Sequence, residues 1–242
     1  MTYGYKHAII IGGSSGIGAE LVKLLSQDGC RVAALARRKD RLDQLVAQNA
    51  GVLAYEHDVT HFDEVPALFQ KITADLGGLD LIVYASGVMP MVGAHEYPFD
   101  KDRHMIDVNV TGCVAWMNQA AIRFEGTKAG SMVAIGSVAG DRGRSGQPVY
   151  NMTKAAVATY MEALRNRLAK LGVKVVTIKP GPVQTEMTEH LHFKHASDPK
   201  KVAETILKKS RKTGEHYVKF THRVIFAVIK AMPSPIFRKL KV

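Results

Sequence analysis

The sequence predicts a doubly wound α/β fold, a mainly parallel, seven-stranded sheet with helices on both faces. Three observations predict it. Short β-branched runs alternate with stretches of helical spacing over the first 180 residues. Those runs are apolar along most of their length, as strands buried on both faces are. The first run leads without a break into glycines that open an amphipathic helix, and that order of elements belongs to parallel α/β sheets.

Taken in order, "HAIII" (7–11) reads as the first strand and residues 16–28 as the first helix. "RVAAL" (31–35) and a helix over 39–48 follow, then a weaker strand "VLAYE" (52–56) and a helix over 61–76. "LIVY" (81–84), a helix over 101–125, "SMVAI" (131–135), a helix over 149–171 and "VKVVTI" (173–178) complete the alternation. After Pro180 the pattern loosens into a loop, a basic helix near 198–212, a short strand "HYVKF" (216–220) and a tail. No linker separates a second domain. The expectation is one domain over 1–242, with residues 186–242 forming a substrate loop and a basic C-terminal extension.

The chain has 242 residues, 46% of them hydrophobic, enough to bury a sizeable core without staples. Its two cysteines, Cys30 and Cys113, lie far apart in apolar contexts, so a reducing, cytoplasmic compartment is the simple reading. The N-terminus has no apolar stretch of signal-peptide length. The longest apolar run of the tail is Val224 to Ile229, too short for a bilayer span of about 20 residues. The net charge is +11, and residues 187–242 hold 13 Lys+Arg against 4 Asp+Glu. That basic quarter reads as a solvated surface, or as a face for an anionic substrate or an anionic membrane. Nucleic acid is not expected, because zinc-finger spacing and RNP-like aromatic stretches are both missing.

The glycine run "GGSSGIG" spaces Gly12, Gly16 and Gly18 as GxxxGxG. Glycine permits a tight turn and a close approach of backbone to a pyrophosphate, and the next helix offers free N–H groups and a positive dipole end. Gly12, Ser14, Ser15, Gly16, Ile17 and Gly18 are therefore cofactor-binding candidates. Where an acid would accept from the ribose of NAD at the end of the second strand, this chain has Ala36, Arg37 and Arg38. Guanidinium groups pair with phosphate, which favours NADP(H) over NAD(H). Asp58, followed by Val59 in "HDVT", stands where a carboxylate can accept from an adenine amino group.

The most informative stretch is "SVAGDRGRSGQPVYNMTK", 137–154. Tyr150 and Lys154 are spaced i, i+4 and share a helix face, and Pro148 suits the start of that helix. A phenol with an ordinary pKa near 10 is a poor acid–base at neutral pH, and an ammonium on the same face favours its phenolate. Ser137, ending the preceding strand, is placed to orient a substrate oxygen.

With these residues in view, the chain resembles the single-domain short-chain dehydrogenases/reductases. The resemblance covers residues 7 to about 187 through "GGSSGIG", "HDVT", "DVNVTG", "IGSVAG", the YxxxK pair and "KPGPVQTEM". It implies a Rossmann-type fold and hydride transfer between nicotinamide and a carbonyl or carbinol carbon, with Tyr150 giving or taking the proton. It implies that Asn109 joins Ser137, Tyr150 and Lys154, holding a helix irregularity and a water in a proton relay. It also implies that Ala85, Ser86 and Gly87 pass near the cofactor ribose, and that Pro180, Gly181, Val183 and Thr185 embrace the nicotinamide. A homodimer or homotetramer on the long helices is implied as well. Two departures stand out: Ile11 replaces a usual threonine, and "YASG" (84–87) replaces "NNAG".

The expected pocket walls are the apolar segment after Gly87, the turn with Arg142 and Arg144, and the loop after Thr185. Apolar walls with basic residues suit an amphiphile with an anionic group. His190, His192 and His195 lack a supporting carboxylate network, so no metal site is assigned. "GDRGRS", "KPGPVQTEMTEHL" and "MPSPIFRKLKV" together resemble bacterial polyprenyl-phosphate keto-pentose reductases, which implies a lipid-linked keto sugar as substrate. Two other readings stay open: a non-catalytic NADP(H)-binding sensor or scaffold, and an enzyme resting on a membrane surface through its tail.

Overall fold

The computed structural model describes residues 2–191, 193 and 195–240. Among them, β1 (His7–Ile11), β2 (Arg31–Ala36), β3 (Val52–Glu56), β4 (Leu81–Tyr84), β5 (Ser131–Ile135), β6 (Lys174–Lys179) and β7 (Gly214–Tyr217) form one parallel sheet. Its order is β3-β2-β1-β4-β5-β6-β7. The order reverses between β1 and β4, and the loops leaving their C-terminal ends part there to open a crevice.

β1 shows why both faces need cover. Ile9 and Ile11 join the apolar layer under α3 (Val65–Leu76), α5 (Gly112–Thr127) and α6 (Pro148–Arg167), with Phe69, Trp116 and Met161. Ala8 and Ile10 join the layer under α1 (Gly16–Gln27), α2 (Lys39–Gln48) and α7 (Pro199–Lys209), with Leu21, Leu42 and Ile206. All four strand residues are fully buried. Each isoleucine removed from water contributes about 1.5–3 kcal/mol.

The helix expected over 101–125 is α4 (Phe99–Ile106) and α5 joined by a wider π-type turn, Asp107–Thr111. Tyr84, one of the departures, is buried and donates to the Val108 carbonyl in that turn at 2.6 Å. The hydroxyl ties the end of β4 to the irregular turn.

The last strand is displaced from the expected 216–220. Pairing with β6 ends at Lys179↔Tyr217, where β6 itself ends, and Phe220 already opens α8 (Phe220–Ala231). The tail is therefore helical, continuing into α9 (Ser234–Phe237). Arg142, in the 3₁₀ turn region after β5, donates to the carbonyls of Ile229 (3.5 Å) and Lys230 (3.1 Å) and to Ser234 Oγ (3.2 Å). Its guanidinium also lies 4.8 Å from the centre of the Phe237 ring. A cation on the last carbonyls of a helix satisfies orphan acceptors and suits the dipole. Arg142 was expected to line the pocket; it is spent on the tail instead. His222 of α8 packs so close to Gly181 that a Cβ there would lie 2.2 Å from its ring.

Beneath this contact lies a buried charge network. Lys179, 2% exposed, pairs with Asp141 and with Glu215 (2.8 Å), and Tyr217 donates to Asp141 at 2.9 Å. Among the described residues no helix is long and apolar enough to cross a membrane.

Candidate active site

The crevice begins at the glycine turn. Parallel pairing of β1 with β4 brings Gly12 beside Ala85 and Ser86. Gly12 has φ +86°, and a Cβ there would stand 2.6 Å from the Ser86 nitrogen. At Gly18 a Cβ would stand 2.0 Å from the Gly12 carbonyl oxygen, so α1 can begin against the turn only without a side chain. No side chain caps α1, which leaves N–H groups of its first turn for an anion.

Charge gathers at the end of β2. Arg38 donates to Ser15 Oγ (2.7 Å) and Ser14 Oγ (3.3 Å), and also to Glu186 at 2.7 Å. Arg41, on α2, donates to the other oxygen of the same carboxylate. The bonds from Arg38 and Arg41 hold the Glu186 carboxyl below its ordinary pKa. Arg37 pairs with Asp58 at 3.6 Å. Burial works against the Asp58 carboxylate, but the N–H and hydroxyl of Thr60, with Arg37, outweigh it and hold its pKa below the ordinary value.

At the opposite end, Tyr150 and Lys154 share a face in the first turns of α6, the Lys154 Nζ lying 5.6 Å from the phenol ring centre. Lys154 is 7% exposed and donates to the Ile135 carbonyl at 3.0 Å. The 3₁₀ turn Val138–Asp141 lies flush on α6: a Cβ at Gly140 would be 2.6 Å from the Lys154 carbonyl carbon. That approach sets Ser137 beside the tyrosine–lysine face. Ser137 Oγ accepts from the Ala139 N–H at 3.0 Å.

Asn109 lies in the π-type turn, 2% exposed. Its amide accepts from Val88 N (2.8 Å) and donates to Val88 O (3.0 Å) and Thr153 Oγ1 (3.1 Å). It meets Lys154 around Gly87, where a Cβ would find Asn109 Oδ1 at 3.3 Å and Lys154 Nζ at 3.6 Å.

One cavity of about 400 Å³ runs between these ends. Every cofactor-binding residue named from the sequence, from Gly12 to Thr185, lines it, together with Ser137, Tyr150 and Lys154. Asn109 stands behind the wall. Ala36, His57, Val108, Ile135, Gly136, Glu186, Met187 and Thr188 line it too and were not among the cofactor-binding candidates. Gly136, Glu186 and Met187 adjoin named residues and were within reach of the same motifs. Arg41 carries no local signal of its part. Among the described residues no three His, Cys, Asp or Glu side chains gather as a metal would require; His192 lies outside the described residues.

The donor set fits a nicotinamide dinucleotide. The turn admits no Cβ at Gly12 or Gly18, N–H groups without a side-chain cap open the helix beside it, and Arg38 and Arg41 share the Glu186 carboxylate at the end of β2.

The sequence matches the short chain dehydrogenase family over residues 6–195. The chain belongs to that family. An uncharacterized oxidoreductase of Myxococcus xanthus is 38% identical over 193 residues, covering 78% of this chain and 76% of the relative. Another, from Staphylococcus aureus, is 34% identical over 206 residues, covering 84% and 89%. In fold, this short-chain dehydrogenase is similar to one from Burkholderia cenocepacia crystallised in complex with NADP. The TM-score is 0.86 at 21% identity, over 100% of both chains.

Proposed function

We propose that this oxidoreductase transfers hydride between NADP(H) and a carbonyl or secondary alcohol, with Tyr150 as general acid–base. The observation that carries the reading is the convergence of Ser137, Tyr150 and Lys154 on one cavity that is also lined by the glycine turn, Arg38 and Glu186, the carboxylate Arg38 shares with Arg41. Bound NADP(H) would supply or accept the hydride. The chain's own residues do the rest. Ser137 Oγ already accepts from Ala139, so its hydrogen is free to point at a substrate oxygen. The Tyr150 hydroxyl gives a proton to that oxygen in reduction and takes it in oxidation. Lys154 spends one of its three hydrogens on Ile135, leaving two for the tyrosine side of the cavity. Asn109, its amide spent on Val88 and Thr153, acts as a positioning residue for this wall.

Preference for NADP(H) rests on Ala36 in place of an acid, and on Arg38 and Arg41 facing one anion; the Burkholderia relative in fold binds NADP. A carbonyl panel with NADPH and NADH side by side tests the reading. Tyr150→Phe is expected to lose about 10²–10⁴-fold in kcat while keeping NADPH affinity. Turnover that survives the substitution would remove Tyr150 from its role.

One refinement of substrate is favoured by a specific observation. Exposed Met91, Tyr97, Phe193, Phe220, Ile225 and Val228 all lie on segments that follow the C-terminal ends of strands, the side where the cavity opens. Residues 186–242, read as substrate loop and basic extension, thus combine apolar side chains with cations, and Arg144 stands half-buried near Tyr150. This suits an anionic, lipid-linked carbonyl compound such as a polyprenyl-phosphate keto sugar, taken at a membrane surface from the cytoplasm. Cosedimentation with anionic vesicles tests it, comparing the wild type with Ile225→Asp/Val228→Asp. Equal binding by both would end the membrane reading. Sedimentation velocity tests the homodimer or homotetramer expected through α5 and α6.

A further inference from the structure

The segment Thr185–Thr188 lies across the cleft in which the cofactor is proposed to sit. Thr185 Cγ2 is 3.0 Å from the place a Cβ of Gly16 would take, over the glycine turn. The Glu186 carboxylate is divided between Arg38 and Arg41. Met187 Cε lies 3.9 Å from the place of a Gly87 Cβ, whose other neighbours are Asn109 and Lys154. One short stretch thus meets the anion-binding turn, the guanidinium pair and the catalytic end together. A carboxylate faces the arginines, and the Met187 thioether reaches toward the catalytic end.

We propose that Glu186 is an internal surrogate for the cofactor's 2′-phosphate: it latches Thr185–Thr188 closed over the cleft, and a phosphate-bearing cofactor releases the latch by taking its place. The inference rests on the NADP(H) reading above and adds a regulation to it. Two guanidinium groups cannot serve the carboxylate and a 2′-phosphate in the same seat, and the phosphate brings more charge and more acceptor oxygens. A cofactor without the phosphate leaves Glu186 free to return to the arginines. The released segment contains the first half of the 3₁₀ turn Glu186–Leu191, which leads on toward Phe193, so the state of the adenosine end is passed to the loop at the substrate end. Because only the unlatched fraction can seat the 2′-phosphate, the latch lowers apparent affinity for a phosphate-bearing cofactor by that fraction.

The test pairs calorimetric titration with hydrogen exchange. Adenosine 2′-monophosphate is the decisive probe, since it carries the phosphate but neither the pyrophosphate nor the nicotinamide. In the wild type it should speed exchange over residues 185–191, whereas adenosine should not. Glu186→Gln should show that fast exchange without ligand and should bind NADP⁺ roughly 3–10-fold more tightly, with NAD⁺ changed less than about twofold. Its thermal midpoint should stay near that of the wild type. If NADP⁺ and adenosine 2′-monophosphate bind well but Glu186→Gln alters neither affinity nor exchange, the latch is refuted and the cofactor reading stands. If adenosine 2′-monophosphate does not bind and NADP⁺ binds no better than NAD⁺, the cofactor reading falls and the latch falls with it.

Discussion

Lys179→Met should be among the most destabilising single substitutions in this protein. Lys179 is 2% exposed and stands between Asp141, whose side chain is fully buried, and Glu215, whose side chain is 31% exposed. Removing one partner of a buried ion pair costs about 3–5 kcal/mol, because the other charge is left without compensation. Lys179→Met leaves two carboxylates facing one another, relieved only by the half-exposed Lys230 at 3.8 Å from Asp141, which argues for the upper end. Asp141→Asn leaves Lys179 paired with Glu215 and keeps an acceptor for Tyr217, so it falls at about 3 kcal/mol. Glu215→Gln, nearer solvent, should cost about 1 kcal/mol or less. For a chain of this size each kcal/mol moves the melting temperature by about 2–4 °C, so Lys179→Met should melt roughly 10–20 °C lower. Melting followed by circular dichroism gives the order, and Lys179→Met/Asp141→Leu should cost less than the two single changes added. A Lys179→Met protein melting within about 2 °C of the wild type, or above Asp141→Asn, would refute the reasoning.

Two further outcomes concern buried titratable groups. Burial pushes the Cys30 and Cys113 thiols up to about 12, so a disulfide-exchange reagent at mildly alkaline pH should find no fast thiol in the native protein and two after unfolding. A thiol that reacts rapidly in the native state would contradict their burial. Burial also lowers the His57 pKa, outweighing the bond to Glu64 that raises it. The unfolded chain therefore takes up this proton first. Stability should fall as pH drops below the ordinary histidine value of about 6.5 and level off below the folded-state pKa. Melting curves across that range should flatten in His57→Gln, and an unchanged slope would assign the pH dependence elsewhere.

The sheet was legible because parallel strands buried on both faces leave short apolar runs, and because glycine and proline punctuate them; β1, β4 and β5 fall where "HAIII", "LIVY" and "SMVAI" stand. The edge strand was not. "HYVKF" has strand-like residues, but its pairing is limited by where β6 ends, a fact that its own residues do not carry. The same distinction divides the site. Gly12 to Gly18, Ser137, Tyr150 and Lys154 announce themselves through local spacing. The Arg41–Glu186 pair joins residues 145 positions apart, and Arg142 meets a tail 87 and more positions away. Local pattern tells which face is buried and which residues share a turn. It does not tell which distant carboxylate or carbonyl a long arginine will find, so one arginine was missed and another was assigned to the wrong neighbour.

The hold of Arg142 on α8 and α9 has a practical consequence. One guanidinium joins the last turns of the described chain to the turn that follows Ser137, so a load on the tail is delivered five residues from Ser137. A light- or ligand-responsive domain fused behind α9 would make this oxidoreductase switchable from outside its pocket, with Arg142→Gln as the variant in which the lever is uncoupled.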